Sequence, residues 1–407
     1  TDVDQLRPFF MSIVSDSNHW MFISSNGGLT AGRKNAQYAL FPYYSDDKIT
    51  ESIEVTGCKS IFHVQKNGKS YAWEPFSDYS KGLQYTSRNL YKNTYGNKII
   101  FEEINHDLEL TFRYQWSSSN KYGFVRKATL VNDGDQEINI SVLDGLQNIL
   151  PYGVGSELQN RQSNLVDAYK RNELVVASGI GIYALSAIIV DRAEPSEALK
   201  ANIIWSLGLD DPTHLVSSSQ LKNFRQGKSV QEETDVKAEK GAYFLIKDLI
   251  LASKTTKDWH LIANVNMDHA AIAEISNAIQ SDPDLGEKIQ KDIDLGTKNL
   301  IRLSAASDGL QLTADNLRDT RHFSNTLFNI MRGGIFDHNY QIEQWDFKIY
   351  LQKANKEVYA KAANQIADLP EQFSLSQLKQ LAENSNDPDL ERLCIEYMPL
   401  KFSRRHG

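Results

Sequence analysis

The sequence of 407 residues predicts a β plus α protein, with a large antiparallel β-sandwich over residues 1–265 and a helical region over 266–407. Three observations carry that expectation. Apolar and polar residues alternate at period two through the first part, most plainly from Leu108 to Trp116. Composition then shifts near residue 265: 17 of the 23 Gly and five of the six Trp lie before it. After it, apolar residues recur at helical spacing, as in Ile272, Ile275 and Ile279.

Taken in order, Trp20 to Ser24 reads as a strand, and Ser25-Asn26-Gly27-Gly28 as a turn whose glycines take positive φ. Leu108, Leu110, Phe112, Tyr114 and Trp116 place one face of a strand in a core. Phe124 to Val131 and Glu137 to Leu143 are two further strands, with Asn132-Asp133-Gly134-Asp135 as a hairpin turn between them. The pattern continues at Glu173 to Ala177, Gly181 to Val190, Ala201 to Leu209, Ala242 to Leu251 and Asp258 to Val265. A parallel sheet would need crossover helices, and no helical spacing lies between these runs, so the sheets are expected to be antiparallel. Asp268 caps the first helix, and Ile289, Ile293 and Leu300 continue the apolar stripe. A helix from Asp315 presents Phe323, Leu327 and Ile330 and stops at Gly333-Gly334. A long helix is expected from Ile342 to Ala367, then two short ones capped by Ser374 and Asp387. The apolar stripes need partners, and a further domain is expected after Gly407 in the parent protein.

Composition excludes several classes. Net charge is -8 and no Lys/Arg run is present, which argues against a nucleic-acid partner. No stretch approaches the roughly 20 apolar residues of a membrane helix. Cys58 and Cys394 cannot form a Cys-x-x-Cys motif and read as buried free thiols. That usage leaves the location open with a lean to the cytoplasm.

No Walker A loop, GxSxG elbow or HExxH motif is present. His269, His322 and His338 lack partners at ligand spacing, so no metal is expected, and no cofactor. Gly179-Ile180-Gly181 lacks the third glycine of a dinucleotide loop. Arg33, shortly after the Gly27-Gly28 turn, is a candidate for an anion or a sugar hydroxyl. The segment Asp144 to Gly153 is dense in polar groups. Gln147, Asn148 and Tyr152 join amides to an aromatic ring, a combination suited to sugars, since hydroxyls need paired donors and acceptors and C–H faces need a ring. The alternative is a buried polar network that ties the sandwich to the helical part. Arg404, Arg405 and His406 form a cationic cluster that is either a solvated tail or the wall of an acidic or phosphate-bearing pocket.

Trp20 to Gly28, Asp144 to Pro151 and the switch from β to α together resemble the N-terminal half of cellobiose phosphorylase-like enzymes, formerly glycosyltransferase family thirty-six. The resemblance implies a super-β-sandwich of the galactose mutarotase-like kind, followed by a helical linker that leads toward an (α/α)6 barrel. In that family the general acid and the phosphate-binding groups lie in the barrel, and no position of this sequence matches them. The resemblance therefore implies a non-catalytic portion of a glycoside phosphorylase or hydrolase acting on β-linked glucosides. It also implies an oligosaccharide partner, inorganic phosphate in the full-length protein, and a homodimer. Two other functions compete: a stand-alone carbohydrate-binding module, and a sugar mutarotase, which needs a positioned acid and base. His63, His106 and Glu102 are the residues available for the latter.

Overall fold

The computed structural model describes residues 1–187, 189, 199–306, 317, 319–321, 323, 324, 327 and 341–397. The chain divides into two compact units after Leu300. In the first unit the strands are β1 (Phe10–Ile13), β2 (His19–Ser24), β3 (Leu29–Arg33), β4 (Gly57–Lys66), β5 (Lys69–Trp73), β6 (Thr86–Lys92), β7 (Ile99–Asn105), β8 (Leu110–Ser119) and β9 (Gly123–Asn132). They continue with β10 (Ile138–Ile149), β11 (Lys170–Val175), β12 (Ile180–Leu185), β13 (Lys200–Leu207), β14 (Thr213–Ser217), β15 (Asp235–Lys237), β16 (Gly241–Leu251) and β17 (Thr256–Asp268). Short helices α1 (Asp46–Glu51), α2 (Ser156–Arg161), α3 (Ser163–Tyr169) and α4 (Leu221–Arg225) sit in the connections, where the sequence had shown no helical period. Two longer helices follow, α5 (His269–Ser281) and α6 (Leu285–Ala306).

Among the described residues the strands form three sheets, ordered β15-β11-β12-β13-β17-β9-β8-β7-β6, β14-β16-β10-β4-β5 and β1-β2-β3. All their pairings are antiparallel. The expected antiparallel sandwich followed by helices is the observed architecture. The alternation read at 108–116 turns Leu110, Phe112, Tyr114 and Trp116 inward, where they join Phe62, Trp73, Val142 and Leu245 of the facing sheet. Trp73, Trp116, Trp205 and Trp259 are wholly buried. Each such side chain contributes about 1.5–3 kcal/mol by leaving water.

The helical stripe read at Ile272, Ile275, Ile279, Ile289 and Ile293, joined by Leu285, has its partner in the outer face of the nine-stranded sheet, at Val125, Ile203, Trp205 and Ile262. The strands of this unit end at Asp268, but this packing carries the compact unit on to Leu300.

One turn differs in kind from its sequence reading. Asn132 to Asp135 is not a hairpin, because β9 lies in the nine-stranded sheet and β10 in the five-stranded one. The segment crosses between sheets. The Asn132 amide ties it down by donating to the carbonyls of Gln136, Leu251 and Ala252. At the other predicted turn Gly27 takes φ 99. Gly28 has a different reason to lack a side chain: a Cβ there would strike the Ile49 carbonyl.

The second unit holds β18 (Gln341–Glu343), α7 (Gln344–Ala354), α8 (Lys356–Lys361), α9 (Ala363–Ala367), β19 (Gln372–Ser374), α10 (Leu375–Asn384) and α11 (Pro388–Glu396). The single helix expected from Ile342 to Ala367 is broken. Asn355 is extended, at φ -157 and ψ 106, and its side chain caps α8 by accepting from the Glu357 and Val358 amides. Ser374 and Asp387 are caps, as expected, the first in a reciprocal capping box with Gln377. Ile342, Phe347, Leu351, Val358, Ile366 and Phe373 are among the residues of this unit's core. Trp345 and Ile349, on the opposite face of α7, are 58% and 40% exposed. Phe323 and Leu327 are buried. Ile330, Gly333 and Gly334 lie outside the described residues.

Candidate functional site

The residues singled out from sequence occupy separate places. Arg33 ends β3 and spreads its guanidinium over three asparagines. Its Nε donates to Asn18 Oδ1 at 2.7 Å, its Nη1 to Asn264 Oδ1 at 3.2 Å, and its Nη2 to the side-chain and backbone oxygens of Asn120 at 3.2 and 3.3 Å. Burial lowers its pKa from the usual arginine value. Gln147 and Asn148 lie at the end of β10, where the register with β16 shifts and Asn148 takes φ 57. Gln147 donates to the Glu54 carbonyl at 2.9 Å and Asn148 to Thr56 Oγ1 at 2.7 Å. These bonds fasten the 54–56 segment to the sandwich. Asn148 Oδ1 is buried without a partner. Tyr152 stacks beside Tyr38, ring centres 6.3 Å apart, with Lys200 Nζ 5.7 Å from its centre. Arg404, Arg405 and His406 lie outside the described residues.

The acid–base set considered for a mutarotase is dispersed. Glu102 is buried and accepts from Asn89, Tyr91 and Arg113. His63 is on the other sheet and bonds the Phe224 carbonyl at 2.7 Å. His106 pairs with Ser87 and stacks on Tyr85.

The feature that sequence reading missed is the outer face of the three-stranded sheet. Strand alternation sends Ile13, Met21, Ile23, Leu29 and Ala31 into the core. It therefore sends Phe10, Trp20 and Phe22 outward. Phe10 and Phe22 lie 6.1 Å apart with ring planes 17° from parallel. Trp20 follows at 6.1 Å from Phe22, and Tyr43 meets Trp20 edge-on at 5.5 Å. Gly32, opposite Trp20 in register, makes room for the indole, since a Cβ there would strike Trp20 Cζ2. The Trp20 N–H donates to the Asn35 carbonyl at 3.3 Å. Phe10, Phe22 and Tyr43 line an open groove of about 660 Å³ whose polar side is Tyr44, Ser45, Lys48 and Asn160. The signal was present as Trp20-x-Phe22 and Tyr43-Tyr44, but the sequence did not say which face of β2 was outward.

A second, more enclosed cavity of about 310 Å³ lies beyond the Ser25-Asn26 turn. Phe76 and Phe101 supply its apolar wall, and Asp4, Asp78, Lys81 and Arg88 its charged one. Among the described residues, no group of three or more His, Cys, Asp or Glu is placed to hold a metal. No helix among them is long and apolar enough to cross a membrane.

Residues 336–399 match the family described as glycoside hydrolase family 149 insertion domain 1. This supports the coarser half of the resemblance, a carbohydrate-active enzyme of the glycoside hydrolase and phosphorylase kind. It does not single out cellobiose phosphorylases. No curated protein sequence matches the chain. Solved structures similar to it include a bacterial glucoamylase complexed with acarbose, at 10% identity and TM-score 0.45, covering 90% of this chain and 52% of that one. A galactose mutarotase-like protein from Lactobacillus casei is 11% identical at TM-score 0.35, covering 63% of this chain and 100% of that one. A polysaccharide lyase is 10% identical at TM-score 0.38, covering 67% and 34%. The chain thus spans about a third of the lyase and half of the glucoamylase.

Proposed function

We propose that this chain is a non-catalytic, carbohydrate-binding part of a glycoside hydrolase or phosphorylase that acts on β-linked glucosides. The observation that carries the proposal is the aromatic row Phe10–Phe22–Trp20–Tyr43, of which Phe10, Phe22 and Tyr43 border a groove with hydroxyl, amide and ammonium groups on its other side. Sugar rings have C–H faces that rest on aromatic rings and hydroxyls that need mixed donors and acceptors. Four rings in a row suit a chain of several sugars better than a single one. Tyr152 and Tyr38 offer a further ring pair, whereas Arg33, Gln147 and Asn148 contribute by holding the loops in place. Phosphate and a second copy of the chain belong to the same proposal as partners of the full-length protein.

The test is affinity electrophoresis through gels containing soluble β-glucan. The chain should be retarded, and Trp20→Ala with Phe22→Ala should run as in a glucan-free gel. Equal mobility of the intact chain with and without glucan would overturn the reading. So would phosphate-dependent release of sugar phosphate from a β-linked disaccharide by this chain alone.

A further inference from the structure

The more enclosed cavity beyond the Ser25-Asn26 turn differs from the groove in size and lining. It draws on the turn Ser25-Asn26, the loop around Phe76 to Gly82, and β6. Its volume of about 310 Å³ stands at the lower end of the range of about 300–1,000 Å³ found for small-molecule pockets.

One buried carboxylate organises it. Glu103 is 1% exposed. Its Oε1 accepts the Trp73 indole N–H at 2.8 Å, and its Oε2 accepts the Phe76 amide and Arg88 Nε, each at 2.7 Å. Glu103 thereby holds both the aromatic and the cationic wall. Phe76 pays for its position with φ 60, a left-handed backbone that a bulky aromatic residue rarely adopts. Strain of this kind persists only where surrounding structure enforces it, and such residues gather at ligand sites. Arg88 is fixed further by Nη2, which donates to the Ser77 carbonyl at 3.1 Å. Its Nη1 has no acceptor among the described residues. Asp4, Asp78 and Lys81, all exposed, also line the cavity, and their side chains make no hydrogen bond or ion pair among the described residues.

The charges determine the ligand class. With Glu103 counted, three carboxylates face two cations, which disfavours an anion, and among the described residues no three acidic groups converge to hold a metal ion. A neutral polyol can donate to Asp4 and Asp78 while it accepts from Arg88 Nη1 and Lys81. Phe76 and Phe101, with ring planes 86° apart, offer an apolar wall for C–H groups. We infer that this cavity binds a single neutral sugar ring, separately from the groove and independently of whether the groove holds a glucan.

The experiment is saturation-transfer NMR with D-glucose on the intact chain and three variants, each checked by thermal melting. Glucose signals should saturate with the intact chain and with Trp20→Ala. They should vanish with Thr86→Trp, which fills the cavity from β6, a position the structure leaves half-buried. Asp78→Asn, at an exposed position, should weaken glucose about tenfold, the effect of one charged hydrogen bond. Absence of saturation with the intact chain would overturn the inference. Undiminished saturation with folded Thr86→Trp would do so too. Loss with Trp20→Ala but not with Thr86→Trp would place glucose in the groove and overturn it as well.

Discussion

Arg126 and Asp144 face each other in the middle of the sandwich. Nη1 meets Oδ2 at 2.6 Å, Nη2 meets Oδ1 at 2.9 Å, and neither side chain touches solvent. Ser60 and the Trp259 N–H complete the Asp144 carboxylate at 2.6 and 2.7 Å. Such a pair is costly to break and cheap to replace, because removal of one partner strands a buried charge. Asp144→Asn should lower unfolding stability by about 3–5 kcal/mol in urea titration. Arg126→Met combined with Asp144→Leu should recover most of that loss. A double variant no better than the single one would show that the pair contributes more than its mutual neutralisation.

His19 is neutral in the fold. Burial, and then the charge of Arg33, lowers its pKa to about 3. Its Nδ1 hydrogen-bonds Ser17 Oγ at 2.8 Å, and its Nε2 is buried without a partner. The unfolded chain takes up a proton here below about pH 6.5, and the folded chain does not. Stability should therefore fall as pH drops from about 6.5 toward 3, by up to about 1.4 kcal/mol per unit from this group. His19→Gln should flatten that part of the urea-midpoint profile. Parallel profiles for the two proteins would contradict the assignment.

Gly32→Ala tests the seat of the groove. The added Cβ strikes the Trp20 indole and the Tyr38 carbonyl together, so both the ring and the backbone at Tyr38 must shift. Retardation by β-glucan should fall, and the melting temperature should fall with it because the Tyr38 backbone must move. Unchanged retardation would mean that Trp20 does not touch the glycan.

In the second unit Ser374 accepts the Gln377 amide at 3.2 Å, and the Gln377 side chain accepts the Ser374 amide at 2.8 Å. Ser374→Ala removes half of this box and should cost about 1 kcal/mol. Differential scanning calorimetry should show the shift in one transition if the two units melt separately.

The sequence made some of this visible and hid the rest for a physical reason. Period two at Leu110 to Trp116 was readable because one face of β8 is apolar over those four alternate positions. The crossover at Asn132 was not, because its amide partners Leu251 and Ala252 are 119 and 120 residues away. Arg33 was readable as a cation near a turn. Its satisfaction by Asn18, Asn120 and Asn264 was not, since these come from three distant segments. Trp20 and Phe22 plainly shared a face, but only the docking of Met21 and Ile23 into the core decides that this face is outward.

The placement of the six tryptophans gives the protein two natural optical reporters. Four indoles are wholly buried, while Trp20 lies half-buried beside Phe22 in the first unit and Trp345 lies 58% exposed in the second. A collisional quencher such as acrylamide should therefore reach one emitter in each unit and leave the buried set dark to it. Trp20→Phe and Trp345→Phe then separate the two signals without an added label. Glycan binding in the groove would shield the first emitter and leave the second accessible.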